Sequence, residues 1–126
     1  MSDDVTKYLA LRRYAVVGAS RRPEKYGYKV MKNLLERGKT VFPVNPGVSE
    51  IDGIRCYPAI RDIPEKPEAV HIITQPEVTE RVARDCVDIG VRYVWMQPGA
   101  ESDTAIALLK KHGVTVIYDR CVLVQL

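Results

Sequence analysis

Between Tyr14 and Gly27 the chain reads Y-A-V-V-G-A-S-R-R-P-E-K-Y-G, and these are the residue types of an anion cradle. Tyr14 to Val17 suit a buried strand. Gly18, Ala19 and Ser20 form a tight turn of small residues, and Arg21, Arg22 and Lys25 add positive charge before a helix opens near Tyr26. Such a turn lets the backbone come close to an anion. Unpaired N–H groups point at the anion, and the helix dipole favours its charge. The chemistry implied is recognition of phosphate, with Arg21, Arg22 and Lys25 able to meet several phosphates. Asn45, at the end of the next apolar run, can donate and accept without repelling an anion. Thr74, Gln75 and Pro76 close a third run and can flank an extended ligand arm with backbone groups.

Catalytic sets are not assembled from this sequence. His71 stands mid-strand among apolar neighbours, which suits a packed, hydrogen-bonded histidine. His112 precedes Gly113 and reads as a helix C-terminal residue favoured by the dipole. Ser20 is committed to the turn, so no Ser/His/Asp set forms. No cluster of His, Asp and Glu has metal-ligand spacing. The three cysteines, Cys56, Cys86 and Cys121, are an odd count without a C-x-x-C pair. That usage points to a reducing cytoplasm and against a structural disulfide or zinc site. Cys56 and Cys86 read as structural, while Cys121 stands at a strand end.

The elements that must position these residues follow from periodicity. Ser2 can cap a short lead-in helix with Asp3 and Asp4 in its first turn and Val5 and Leu9 on one face, expected to cover a sheet edge. The first strand is Arg13 to Val17. A helix from Tyr26 to Arg37 carries Val30, Met31, Leu34 and Leu35 as its apolar stripe and ends at Gly38. Lys39 to Val44 form the second strand, in which Pro43 is awkward for a central position. Residues 46–68 hold four prolines and read as an irregular crossover, with a turn at Asp52-Gly53 and a short helix near Ala59 to Ile63. Ala69 to Thr74 is a buried strand. Pro76 then opens a helix with Val78, Val82, Cys86 and Ile89 on one side, ending at Gly90. Val91 to Met96 is a strand ending at Gln97-Pro98. Ser102 caps a helix that turns Ala105, Ile106 and Leu109 inward, and Val114 to Tyr118 is the last strand. The tail from Val122 to Leu126 is apolar, compatible with covering the sheet or with a homodimer or protein-partner contact.

This alternation predicts one α/β domain over residues 1–126: a three-layer Rossmann-like fold with a mostly parallel five-stranded sheet and helices on both faces. The expected strand order is 3-2-1-4-5, with the ligand at the carboxyl ends of the strands near the switch point between the first and fourth strands. A 46% hydrophobic, 28% charged composition is that of an ordinary globular protein, and a net charge of +3 is too mild to argue for nucleic acid. The apolar runs are too short for a membrane span, and the acidic start, Met1-Ser2-Asp3-Asp4, does not resemble a signal peptide.

The nature of the phosphate ligand can be narrowed. A dinucleotide turn wants G-x-G-x-x-G and an acid at the end of strand two. Here Ser20 takes the second glycine's place, the next glycine is Gly27, and strand two ends at Asn45. No G-K-[ST] follows, which excludes a P-loop. The turn motif, together with V-F-P-V-N-P, G-I-R-C-Y-P-A-I-R-D-I-P, V-R-Y-V-W-M-Q-P-G-A and D-R-C, resembles the small stand-alone CoA-binding proteins. That family is similar to the N-terminal domain of the succinyl-CoA synthetase alpha subunit. The resemblance covers roughly residues 13–121.

The resemblance implies that Gly18, Ala19 and Ser20 hold the CoA pyrophosphate, that Lys25 neutralises the phosphorylated end, and that Gly27 permits close packing. It implies a pocket lined by Asn45 and Pro46 and bordered by Thr74, Gln75 and Pro76, with Met96 and Gln97 at a further ligand-facing turn. Past D-R-C the family continues with an acidic, histidine-containing segment, where this chain reads V-L-V-Q-L. The synthetase's second domain, with its phosphorylated histidine, has no counterpart, so ligase chemistry is not carried over. The expected function is recognition of coenzyme A or a short acyl-CoA by a binding module more than an enzyme. The alternatives are an NAD(P)-binding enzyme or redox sensor and a non-catalytic subunit of an acyl-CoA ligase or transferase. Cys121, on the ligand rim, is either a redox-active thiol able to form a mixed disulfide with CoA or, the preferred reading, a thiol of no chemistry.

Overall fold

The structure is a computed structural model that describes residues 3–125. Ser2, expected as a helix cap, and Leu126 of the tail lie outside the described residues. The chain runs α1 (Asp3–Leu9), β1 (Arg13–Val17), α2 (Tyr26–Glu36), β2 (Thr40–Val44), β3 (Glu50–Ile51) and β4 (Ile54–Arg55). A 3₁₀ turn (Ile60–Asp62) leads to β5 (Ala69–Ile72), α3 (Pro76–Ile89), β6 (Tyr93–Met96), α4 (Asp103–Lys111), β7 (Thr115–Ile117) and α5 (Val122–Gln125).

Five strands form one parallel sheet in the order β2-β1-β5-β6-β7. The α/β Rossmann-like fold is as expected, but the strand order is not. Counting the five sheet strands along the chain, the order is 2-1-3-4-5 rather than 3-2-1-4-5. Pro43 supplies the physical reason. It sits in β2 opposite Val16 and has no amide to give a second neighbour, so β2 belongs at an edge. Its outer side is closed instead by the crossover: Tyr57 donates its amide to the Pro43 carbonyl at 2.9 Å, and Asn45 donates to the Tyr57 carbonyl at 2.9 Å. The chain then returns across β1, and β5 pairs on the far side with Tyr14 opposite Ala69. The switch point therefore lies between β1 and β5.

Alternate residues of each strand feed two cores. Ala15, Val17, Val70, Ile72, Val94 and Met96 pack under α3 and α4. Tyr14, Val16, Ala69, Trp95 and Ile117 pack under α1, α2 and α5. This is the three-layer arrangement that period-two strands between amphipathic helices demand. The short lead-in helix α1 lies against the edge strand β7, as expected, and also reaches inward. It buries Val5 and Tyr8 over the middle of the sheet, where the Tyr8 ring lies edge-on to Tyr14 at 5.4 Å and to Trp95 at 5.0 Å. An aromatic side chain reaches further inward than Leu9, which stays half-buried. The Asp52-Gly53 turn carries positive φ at both residues, 51° and 81°, and joins the two-residue strands β3 and β4. Among the described residues no helix is long and apolar enough to cross a membrane.

Candidate functional site

The strand sequence Tyr14-Ala15-Val16-Val17 is fully paired on both sides and delivers Gly18 to the carboxyl end of the sheet centre. There Gly18 has φ +94°, and a Cβ on it would stand 2.1 Å from the Ile73 carbonyl oxygen. Only glycine suits both the dihedral and the contact. Gly27, in the first turn of α2, is held the same way: a Cβ there would meet the Gly18 carbonyl oxygen at 2.0 Å. The turn, the β5 end and α2 are thus pressed together on two missing side chains.

The amides of Gly18 and Ala19 both donate to the Val44 carbonyl, at 3.0 and 3.3 Å, which ties the turn to β2. The Arg22 amide donates to Ser20 Oγ at 3.1 Å. The amides of Tyr26 and Gly27 open α2 and have no carbonyl one turn earlier to bond. Asn45 completes the turn. Its Nδ2 donates to the Ala19 carbonyl at 2.8 Å, and its Oδ1 accepts from the Gly47 amide at 2.9 Å. Its side chain therefore holds two loops in place, which strand-end position alone did not reveal.

Beside this turn lies a cleft of about 690 Å³. Its floor is the ends of β1, β2 and β5, and its walls come from Pro58, Ala59 and Ile60 on one side, from α3 through Val78, Arg81, Val82 and Asp85, and from Pro98 to Ala100. A cleft at the carboxyl edge of a parallel sheet, beside its switch point, is where such folds take ligands.

Of the residues predicted for the site, Gly18, Asn45, Pro46, Thr74 and Gln75 line this cleft. Thr74 Oγ1 lies 2.9 Å from Thr79 Oγ1, while exposed Gln75 starts α3 with its side chain unused as a cap. Pro76 is the first residue of α3, just behind the wall. Ala19 is buried, and Ser20 is half-buried at the turn. Arg21, Arg22 and Lys25 are exposed on the loop next to it; Arg22 pairs with Glu24 at 3.0 Å, whereas Arg21 and Lys25 enter no ion pair with a described residue. Met96 and Gln97 do not line the cleft. Met96 is fully buried under α3 and α4, and Gln97 is buried on a different hydrogen-bond network.

That network runs through the opposite core. Tyr8 OH lies 3.1 Å from His71 Nδ1, and His71 Nε2 lies 3.1 Å from Gln97 Oε1. Gln97 Nε2 donates to Cys121 Sγ at 2.9 Å, and the Val122 amide donates to Gln97 Oε1 at 3.2 Å. An amide oxygen only accepts, so His71 carries its proton on Nε2 and accepts from Tyr8. Burial pushes the His71 imidazole down to about 4, with the Gln97 bond pulling the other way. His71 is therefore a neutral core residue. Cys86, also buried, has its thiol pushed up to about 12 by desolvation. All three cysteines are free, and among the described residues no group of three His, Cys, Asp or Glu side chains is placed to hold a metal.

The cleft walls are not legible in the sequence. Pro58, Ala59, Val78 and Arg81 reach the cleft because α3 packs over the 3₁₀ turn, a long-range contact that local pattern does not encode.

The fold recurs in known proteins. The chain is 31% identical over 111 residues to the uncharacterized protein YneT of Bacillus subtilis, covering 88% of this chain and 82% of that one. It is 30% identical over 122 residues to the alpha subunit of the ADP-forming acetate–CoA ligase II of Pyrococcus furiosus, covering 88% of this chain but only 27% of that subunit. A hypothetical protein from Pyrococcus horikoshii OT3 superimposes with a TM-score of 0.94 at 34% identity, over 99% of this chain and 89% of that one. The family model described as CoA binding domain matches residues 12–126, and the chain belongs to that family.

Proposed function

We propose that the protein binds coenzyme A or a short acyl-CoA in the cleft beside Gly18, and that it acts by recognition without catalysis of its own. The observation that carries this reading is the cleft itself. It is mainly apolar, it sits at the switch point, and it opens next to a glycine whose Cβ would strike the Ile73 carbonyl. That missing side chain lets the turn lie against the end of β5, which fixes the turn beside the cleft and next to the N-terminus of α2, where backbone amides suit phosphate. The diphosphate belongs at the Gly18-Ala19-Ser20 turn. Because the amides of Gly18 and Ala19 are already given to Val44, its donors are the amides beyond them and those opening α2. Arg21, Arg22 and Lys25 add charge. Asn45, Pro46, Thr74, Gln75 and Pro76 frame the rest of the ligand, while Gly27 backs the turn and the Gln97 amide, donated to the Ile72 carbonyl, steadies the end of β5.

Calorimetry with coenzyme A, acetyl-CoA, NAD and NADP tests the reading. Binding of the CoA-type ligands in the micromolar range, about −8 kcal/mol, is expected. Binding of NAD without binding of CoA would sink it. Similarity to the ligase alpha subunit favours a second reading, a module serving a protein partner that supplies acyl chemistry. In both readings the isolated chain leaves acetyl-CoA intact; steady release of free thiol would overturn the recognition-only role.

A further inference from the structure

Two charged side chains line the cleft, Arg81 and Asp85, one turn apart on α3. Asp85 is already neutralised: its Oδ1 lies 2.8 Å from Nε of Arg61, which projects from the 3₁₀ turn. Arg81 has no such partner. Glu77 stands four residues before it and Asp85 four after, yet neither forms an ion pair with it, nor does any other described residue. Arg81 is thus the one cation lining the cleft among the described residues, and its counter-ion is missing. It stands between Val78 and Val82, beside an apolar wall that strengthens any charge–charge attraction. A guanidinium also presents a planar fork that takes phosphate oxygens in pairs.

Coenzyme A carries two separate anionic groups, a diphosphate and a phosphomonoester on the 3′-hydroxyl of the adenosine ribose. The diphosphate is served by the Gly18 turn and its loop cations, which stand outside the cleft walls. The phosphomonoester travels with the adenine, the flat apolar part of the molecule, and an apolar wall of Ile60, Val78 and Val82 suits adenine. We propose that Arg81 reads the 3′-phosphate of coenzyme A, so that the cleft selects coenzyme A over its 3′-dephospho form. This rests on the coenzyme A reading of the cleft.

The test compares coenzyme A and 3′-dephospho-CoA by calorimetry on the intact chain, its Arg81→Gln variant and its Arg81→Lys variant. The unaltered chain should prefer coenzyme A by about tenfold to a hundredfold, the range of a charge-assisted hydrogen-bonded pair. Arg81→Gln should erase that preference by weakening coenzyme A alone, and Arg81→Lys, which keeps the charge but loses the fork, should retain part of it. Arg81 is exposed on α3, so unchanged thermal midpoints are expected for both variants. Equal affinity of the unaltered chain for both ligands, or equal weakening of both by Arg81→Gln, overturns the role of Arg81 and leaves the coenzyme A site standing. Failure of both ligands to bind the unaltered chain overturns the site and this role with it.

Discussion

Two glycines and one histidine carry most of what single residues do here. At Gly18 and Gly27 the atom in the way of a Cβ is a backbone oxygen, at 2.1 and 2.0 Å, which cannot swing aside as a side-chain tip does. Gly18→Ala and Gly27→Ala should each cost about 2–4 kcal/mol of stability. Urea unfolding measures this. Gly27 has no positive φ, so an unchanged midpoint for Gly27→Ala would refute the close approach of α2 to the turn. His71 makes stability depend on pH. Its value falls from an ordinary 6.5 to about 4 in the fold, so the fold favours the neutral ring. The stabilisation is complete above pH 6.5 and is lost as pH falls toward 4, because the unfolded chain takes the proton first. The interval corresponds to roughly 3 kcal/mol. Glu68, held below the usual carboxylate range mainly by the Arg12 amide, acts in the same direction at more acid pH. His71→Gln should flatten the dependence of unfolding free energy on pH in that window, whatever its absolute stability. An equally steep profile would rule out His71 as the cause.

At the scale of elements, the outcome depended on whether the signal was local. Ser102 reads as a cap and accepts the Ala105 amide at 3.2 Å; Gly90 reads as a stop and takes φ +81°. Pro76 opens α3 as its ring geometry predicts. The strand-end residues that line the cleft were legible for the same reason, since Gly18, Asn45 and Thr74 each follow an apolar run. Strand order was not legible by pattern, because it depends on which edge of β1 the returning chain meets. Pro43 held the missing clue, as a residue that tolerates only an edge. Met96 and Gln97 follow an apolar run too, but β6 turns Met96 under α3, and Gln97 bonds inward to His71. The tail was ambiguous between covering the sheet and meeting another chain. In α5 Val122 is buried with Trp95, and Trp95 Nε1 donates to the Arg120 carbonyl at 2.9 Å. Ending the chain at Cys121 should therefore cost about 2–4 kcal/mol, mainly lost burial of Val122 and Leu123. Chemical denaturation reads that loss. A shortened chain of unchanged stability but altered elution volume would assign the tail to a contact between chains instead.

For the molecule as a whole the relevant quantity is charge relative to a polyanionic ligand. The net charge is +3, and the cations that matter are local: Arg21 and Lys25 stand beside the turn without an ion pair to any described residue, while Arg22 is partly cancelled by Glu24 at 3.0 Å. Attraction between such exposed charges and a phosphate reaches about 10 Å at 0.1 M salt and only about 3 Å at 1 M. Coenzyme A affinity should therefore fall as salt rises, while the apolar part of the cleft, which is not screened, keeps a residual affinity. Lys25→Glu reverses one of these charges without removing any ion pair among the described residues. It should weaken coenzyme A binding by about tenfold at 0.1 M salt and much less at 1 M, with the two titration series converging. Its thermal midpoint without ligand should match that of the unaltered chain, because Lys25 is exposed and its contribution to α2 is a backbone one, the carbonyl that accepts from Tyr28 and Lys29 at 3.1 Å. If the loss of affinity is the same at both salts, the substitution has damaged the turn rather than the field, and the loop cations are not part of the binding site.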